Sequence, residues 1–347
     1  MNLKIRIQLS AMMFFQFFIW SVWFVTMGPY LREVLKFTPQ QVGWAYTATG
    51  WAAFVSPFLV GMVADRFFAT QRIMAVLHIL GERKHEFGKQ RVGGSLAAGI
   101  AGPLVSFLVG KIGLRAAFYC ALAFLASGVG IASRTEMDDP EGYLAENGER
   151  TSYWKGLKVL LGDPRLAFFL FIALLGMTAR SPSFIYLYMH MSDLGAPKSI
   201  LGLTMTVLMI GELPFLFFSD KLLKRLGSRG LMIASLGSTM IMLFTFAWMR
   251  SPWPGILIHL IHGISYSGMW LSGVAYANHL APPGLGATAQ GLFNAVFNGL
   301  GFFVGSLFGG LLYDRYGGAN LFLLCAILAT LALILFVSIS VREKTKY

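Results

Sequence analysis

The chain has 347 residues, of which 56% are hydrophobic and 13% charged, and its mean hydropathy is +0.64. That balance excludes a soluble globular enzyme. Its 28 Lys and Arg against 16 Asp and Glu give a net charge of +12, which in a water-soluble chain would point to nucleic acid; here a membrane accounts for it, and no nucleic-acid partner is expected. Cys120 and Cys325 lie in apolar stretches away from any His or Cys cluster, so neither a disulfide framework nor a zinc site is expected.

A bilayer core about 30 Å thick takes roughly 20 apolar residues per helix. Ten windows meet that need: 8–31, 41–64, 92–110, 115–133, 166–190, 200–219, 231–249, 255–278, 288–312 and 320–341. The apolar stretch from Arg72 to Gly81 is about half a bilayer long. The first window follows Lys4 and Arg6 but is too long for a secretory signal and carries no small-residue cleavage site, so it reads as a retained helix. With that helix starting inside, the inner segments hold 20 basic residues and the outer ones 7, with Arg180 inside a span. The inner set comprises Lys4 and Arg6, six from Arg66 to Arg91, five from Arg134 to Arg165, four from Lys221 to Arg229, and Arg342, Lys344 and Lys346. The positive-inside rule therefore puts both termini in the cytoplasm of a multi-pass protein of the plasma (cell inner) membrane.

Residues 134–165 form a long polar loop that opens on Glu136, Asp138, Asp139 and Glu141. It divides a bundle at 1–133 from a six-helix bundle at 166–347. Within it Trp154, Leu157, Leu160 and Leu161 recur at helical spacing and predict a short helix on the inner membrane surface. Asp163 followed by Pro164 predicts an N-cap and a first-turn proline at the start of the next span.

The ends of the two halves repeat. Gly113, Cys120 and Ala121 match Gly318, Cys325 and Ala326 at an offset of 205, whereas Asp65 with Arg66 matches Asp220 with Lys221 at an offset of 155. The difference of 50 residues is about two membrane helices and a turn. The expected architecture is thus an all-α membrane protein of about ten spans, four in the first half and six in the second. It lacks a helix pair between Leu80 and Arg91, with 72–81 as the remnant of a third helix.

These residues resemble the major facilitator superfamily, whose members have two six-helix halves and a loop motif after the second helix. In GMVADRFFATQR, Gly61, Asp65, Arg66 and Arg72 resemble that motif, and Asp220, Lys221, Arg225 and Arg229 resemble its partner in the second half. Measured against the usual twelve helices, the missing pair is helices 3 and 4. The opening from MNLKIRIQLS through ADRFFAT is similar to bacterial nucleoside:proton symporters, while ELPFLFFSDKLLKRLG, HGISYSGMW and APPGLGATAQGLFN are similar to the broader branch around them. The glycine of the motif lets helices approach closely, and a carboxylate at the membrane surface can meet a helix N-terminus or an arginine and latch one conformation.

Ionisable groups inside a membrane are expensive, so each is a candidate for function. Glu212 lies about 18 Å into its span, where desolvation disfavours the charged form and lets a carboxyl take up and release a proton; the resemblance implies a cavity glutamate there. Arg180 lies at similar depth, a partner for Glu212 or for a solute, or an arginine that snorkels to the outer face. The resemblance also implies a solute-contacting Arg91 with Ser95 four residues on, and an aromatic wall residue at Tyr266. Arginine's fork suits carbonyl or ribose oxygens, and a tyrosine can stack on a base. The pattern departs at Ser267, where the nucleoside branch favours an acid, and at Tyr186 and Tyr188, where it favours amides.

Gln16, Asn294 and Asn298 are candidate cavity groups or interhelical bonds. His259 and His262, three apart on one face, read as packing rather than as a metal or proton relay. Gly301, Gly305 and Gly309 read as close helix contact. Neither cofactor nor bound metal is expected, and no ATP-hydrolysing motif occurs. The resulting expectation is a monomeric secondary transporter in the lipid bilayer that couples nucleoside uptake to protons by alternating access. Two competing readings are a non-transporting truncated paralogue or incomplete gene model, and a transporter of another small polar solute.

Overall fold

Tight packing of one helix on the next is written in the positions of small residues and of prolines at helix starts. The computed structural model describes residues 27–67, 153–197, 200–282 and 285–344, together with Phe14, Phe18 and Ile100. Gln16, Arg72, Arg91, Ser95, the spans at 92–110 and 115–133 and most of the linker lie outside the described residues, as do the side chains of Gly61, Asp65 and Arg66.

Helix α1, Pro39–Phe67, is opened by a capping box. The Thr38 N–H donates to Gln41 Oε1 at 2.9 Å, and the Gln41 N–H to Thr38 Oγ1 at 3.2 Å, with Pro39 at the first helical position. Helix α2 is Tyr153–Gly162, where the linker sequence predicts one. Leu157 and Leu160 are buried while Val159 and Leu161 are exposed, and Gly156 lies against Leu285. The protein itself therefore takes up part of the face that its amphipathic spacing offers to the membrane.

Helix α3, Pro164–Arg180, is capped as predicted, Asp163 accepting from the Arg165 N–H at 2.8 Å. It continues through the turns α4, Pro182–Ile185, and α5, Leu187–Asp193. Helix α6 runs Ile200–Trp248 and breaks at Gly227. Next come α7, Pro252–Leu257, a 3-10 turn Ile258–Ile261, a π-helical segment Gly263–Ser267, and α8, Gly268–Leu280. The last run is α9, Gly286–Asn294, a second π-helical segment Ala295–Gly301, and α10, Phe302–Lys344, which breaks at Gly317.

A straight 49-residue helix would be about 74 Å long, more than twice a bilayer core. The breaks resolve this. Gly227 (φ 67°, ψ 171°) and Gly317 (φ 79°, ψ 172°) adopt backbone angles open to glycine alone, so α6 and α10 each form two arms. The arms of α6 follow the sequence windows 200–219 and 231–249, the second arm of α10 follows 320–341, and α9, the π-helical segment and the first arm of α10 together fill 288–312. The outward surface is apolar: Trp248 is 69% exposed, Leu257 59%, Phe217 58% and Ile334 55%. A water-soluble protein would not carry so much; lipid covers such a surface.

Glycines set the closest contacts. A Cβ on Gly301 would meet Met177, on Gly305 Ser181 and Thr178, and on Gly309 Tyr186 and Pro182, so these three seat α10 and the segment before it on α3. Gly50 abuts Phe303 and Gly299 abuts Phe54, which draws α1 onto the same element. Tyr186 donates to the Ser306 carbonyl at 2.7 Å across that contact.

Gly227→Ala and Gly317→Ala each cost about 1–3 kcal/mol through backbone strain alone, because no atom lies within 4 Å of either added Cβ. Gly237→Ala, inside the helix and equally uncrowded, is neutral or stabilises by up to about 1 kcal/mol. Thermal unfolding of the three purified variants in detergent measures this ordering.

Candidate functional site

Glu212 lies on the first arm of α6, two residues before Pro214. The proline has no N–H, so the Ile210 carbonyl loses its helical donor and the helix is weakened beside the carboxylate. Gly211 lets the 3-10 turn come in until a Cβ would strike the carbonyls of His259 and Leu260, and Gly263 sits against the Glu212 backbone. Glu212 is 6% exposed, and Ser267 Oγ donates to its Oε1. Ser267 thus stands where the resemblance implies an acid, and supplies the Glu212 carboxylate with a hydroxyl donor.

Both departures from α-helical pairing carry polar side chains. The Gly263–Ser267 segment presents Tyr266 and Ser267, and the Ala295–Gly301 segment presents Asn298. Such segments leave backbone groups for side chains or solutes to satisfy, and they recur at functional sites. The Tyr266 hydroxyl lies 3.5 Å from Asn298 Oδ1. Asn298 Nδ2 donates to Asn294 Oδ1 at 3.2 Å, and Trp270 Nε1 donates to the same oxygen at 2.9 Å. Farther along, Gln290 Nε2 donates to Asn278 Oδ1 at 3.1 Å. All six side chains are partly buried and form a polar wall with two aromatic faces. Sequence spacing picked out Tyr266, Asn294 and Asn298; Trp270, Asn278 and Gln290 went unnoticed, though Gln290 stands four residues before Asn294 and Trp270 four residues after Tyr266.

Arg180 is 1% exposed. Its guanidinium bonds to Ser183 Oγ and His262 Nδ1, not to Glu212, and it lies 4.5 Å from the Phe184 ring. It neither snorkels nor forms the Glu212 pair. Tyr188 is buried in α5 at 8% exposure. His259 bonds the Gly255 carbonyl, and no group of three metal-binding side chains occurs among the described residues. A cavity of about 260 Å³ bounded by Phe169, Tyr276 and Phe336 shares no residue with the Glu212 cluster.

In the second-half loop Lys221 lies over Phe218 at 5.5 Å and Arg229 over Tyr276 at 5.8 Å, while Arg225 is exposed and Asp220 partly buried. At the opposite end of the bundle three elements meet at one carboxylate. Arg32 Nη2 donates to Asp193 Oδ1 at 3.3 Å, the Tyr313 hydroxyl donates to Oδ2, and Arg32 stands over the Tyr313 ring at 5.9 Å. Beside this clasp the Gly28 N–H donates to the Tyr46 hydroxyl at 3.0 Å.

A family model described as the MFS_1 like family matches residues 69–324. The chain belongs to that family. A second model, described as nucleoside H+ symporter, matches residues 1–90. The chain is 25% identical to the xanthosine permease of Escherichia coli over 380 residues, covering 90% of this chain and 89% of the permease. It is 24% identical to the nucleoside permease NupG of the same organism over 384 residues, covering 91% and 89%. The crystal structure of nucleoside transporter NupG superposes with a TM-score of 0.74 at 19% identity, over 97% of this chain and 99% of that one, which establishes the fold. Both alignments are longer than the 347-residue chain, so each permease carries residues that have no counterpart here.

The two ion-pair partners of the clasp are 36% and 46% exposed, so the pair contributes no more than about 1 kcal/mol. Asp193→Asn is expected to raise the accessibility of that end of the bundle by about fivefold at most. The rate at which a cysteine placed at Gly28 reacts with a membrane-impermeant thiol reagent reads this out.

Proposed function

We propose that this chain is a secondary active transporter that couples the movement of a nucleoside across the membrane to that of protons. The observation that carries the reading is Glu212: a carboxylate 6% exposed in an apolar bundle, bonded by the Ser267 hydroxyl, with a wall of amides and aromatic rings that begins at the adjoining Tyr266. A buried carboxyl at such a site can exchange a proton as its surroundings change. The amides of Asn294 and Asn298 suit the donor and acceptor edges of a base, and Tyr266 and Trp270 offer faces for stacking. The symporter family model over the first 90 residues and the nucleoside permeases among its relatives support the same solute class.

In this mechanism Glu212 takes up the proton, Tyr266 and Asn298 contact the solute from the second half, and Arg91 and Ser95 do so from the first. Gln16, Arg180 and Tyr188 shape the cavity. The two halves rock about the midplane. Both termini are cytoplasmic, so the Arg32, Asp193 and Tyr313 clasp closes the outer end, while Gly61, Asp65, Arg66, Arg72, Asp220, Arg225 and Arg229 act at the inner one. The protein works as a monomer in the plasma membrane, with four spans at 1–133, a linker at 134–165 and six spans at 166–347.

Cells expressing the protein are expected to accumulate uridine when an inward proton gradient is imposed. Glu212→Gln is expected to abolish the gradient dependence, removing the roughly 5–150-fold that a coupling free energy of about 1–3 kcal/mol carries. Uptake unaltered by the substitution across the same gradient would rule out Glu212 as the coupling group. Competition of the uptake by sugars but not by nucleosides would instead favour another small polar solute.

One observation favours a second reading. The alignments exceed the chain in length, which supports the loss of helices 3 and 4 inferred from the repeat offsets, and those helices help line the cavity in this superfamily. A chain without them is a non-transporting paralogue or an incompletely read gene. Sequencing the transcript decides between them: about 50 further codons between Leu80 and Arg91 would mark the gene reading as incomplete.

A further inference from the structure

Buried cations in a membrane bundle are expensive and ordinarily meet a carboxylate. Arg180 does not do so among the described residues: Nη1 donates to Ser183 Oγ, Nη2 lies 2.9 Å from His262 Nδ1, and Nε is buried without a partner. A guanidinium has donors and no acceptor. Nη2 therefore donates, Nδ1 accepts with its lone pair, and His262 is a neutral imidazole with its proton on Nε2. The preceding histidine on that face has the other tautomer. His259 Nδ1 lies 2.7 Å from the Gly255 carbonyl, which can only accept, so His259 carries its proton on Nδ1. The two rings are stacked 6.2 Å apart at 13°.

We propose that His262 Nδ1 is a second proton-binding site of this transporter, occupied either by a proton or by the hydrogen bond from Arg180 and never by both. When a proton donated by water reaches Nδ1, an N–H bond forms, the Nη2–H···Nδ1 hydrogen bond breaks, and the charge of the pair rises from one to two. No other covalent bond changes. Among the described residues, the titratable and charged groups near His262 include Arg180 on α3, Glu212 on α6, whose backbone abuts Gly263, and His259 and Tyr266 along its own helix.

With Glu212 occupied by Ser267, the expelled guanidinium keeps Ser183 and turns toward Tyr266, whose ring lies 5.7 Å from His262 and 5.3 Å from Phe184. There it can hold a carbonyl or anionic oxygen of the solute, so proton and solute raise each other's affinity. This last step rests on the proposed transport function; the exclusion between proton and hydrogen bond does not.

Nitrogen NMR of purified protein labelled at histidine and arginine tests the exclusion without solute or transport. At about pH 7.5 the His262 ring is expected to show a protonated Nε2 and a bare Nδ1, and acidification should protonate Nδ1 and shift the Arg180 Nη signals with one midpoint. In Arg180→Gln the proton affinity of His262 is expected to rise about tenfold or more, because a like charge in contact has been removed. A protonated Nδ1 at the start, Arg180 signals indifferent to the titration, or an unmoved midpoint in Arg180→Gln would each overturn the proposal; the first two need only the unaltered protein.

In cells, His262→Gln keeps an acceptor for Arg180 but cannot titrate. Its half-saturating uridine concentration should lose the fall of about fivefold or more on acidification that the unaltered protein shows, and a preserved fall would also overturn the proposal. Failure of the unaltered protein to take up any nucleoside, with the NMR result intact, would instead remove the transport reading alone.

Discussion

Everything in this structure answers to one constraint: inside an apolar slab a polar group must find its partner within the protein. For backbone groups the α-helix supplies that partner automatically, and long helices follow. The consequences begin where the helix cannot supply it. Pro214 removes a donor beside Glu212, and the π-helical segments Gly263–Ser267 and Ala295–Gly301 shift the pairing around Tyr266, Ser267 and Asn298. The first π-helical segment packs on α6 beside Glu212, and the Tyr266 hydroxyl reaches Asn298 in the second. The candidate site is the region where helical pairing is incomplete and side chains complete it.

Two kinds of contact surround that region, and they differ in strength. The glycine contacts of Gly301, Gly305 and Gly309 with α3 are steric and admit no side chain, so they hold α10 and α3 as one body. In the clasp the Arg32–Asp193 pair is partly exposed and contributes little net free energy, while Tyr313 is buried. The same close packing joins α1 to this element at Gly50 and Gly299, so separating the two would break steric contacts as well as the clasp.

Arg180 illustrates how the same constraint produces chemistry. Its charge cannot leave the bundle, so the structure meets it with a hydroxyl, an aromatic face and the lone pair of a neutral histidine. Each is weaker than a carboxylate would be. The arrangement holds the cation in place and leaves it displaceable, whereas a buried ion pair would hold it far more tightly.

The windows of apolar residues, the Asp163 cap, the helix within the linker and the glycine contacts were all legible in the sequence, because each depends on residues a few positions apart or on a composition that no fold can alter. The place of Glu212 within its apolar window was legible for the same reason: distance along a helix is proportional to residue number. What tertiary structure alone decided was partnership. Ser267 bonds Glu212 across 55 positions, His262 meets Arg180 across 82, and Arg32 meets Asp193 across 161. Nothing in local spacing encodes which faces of two helices will be opposed. Hence Ser267 read as a missing acid and proved a donor, and Arg180, open in sequence to Glu212, to a solute or to the outer face, meets His262. The breaks at Gly227 and Gly317 fall between these cases: the windows on either side required a turn, and the backbone angles identified the glycine that makes it.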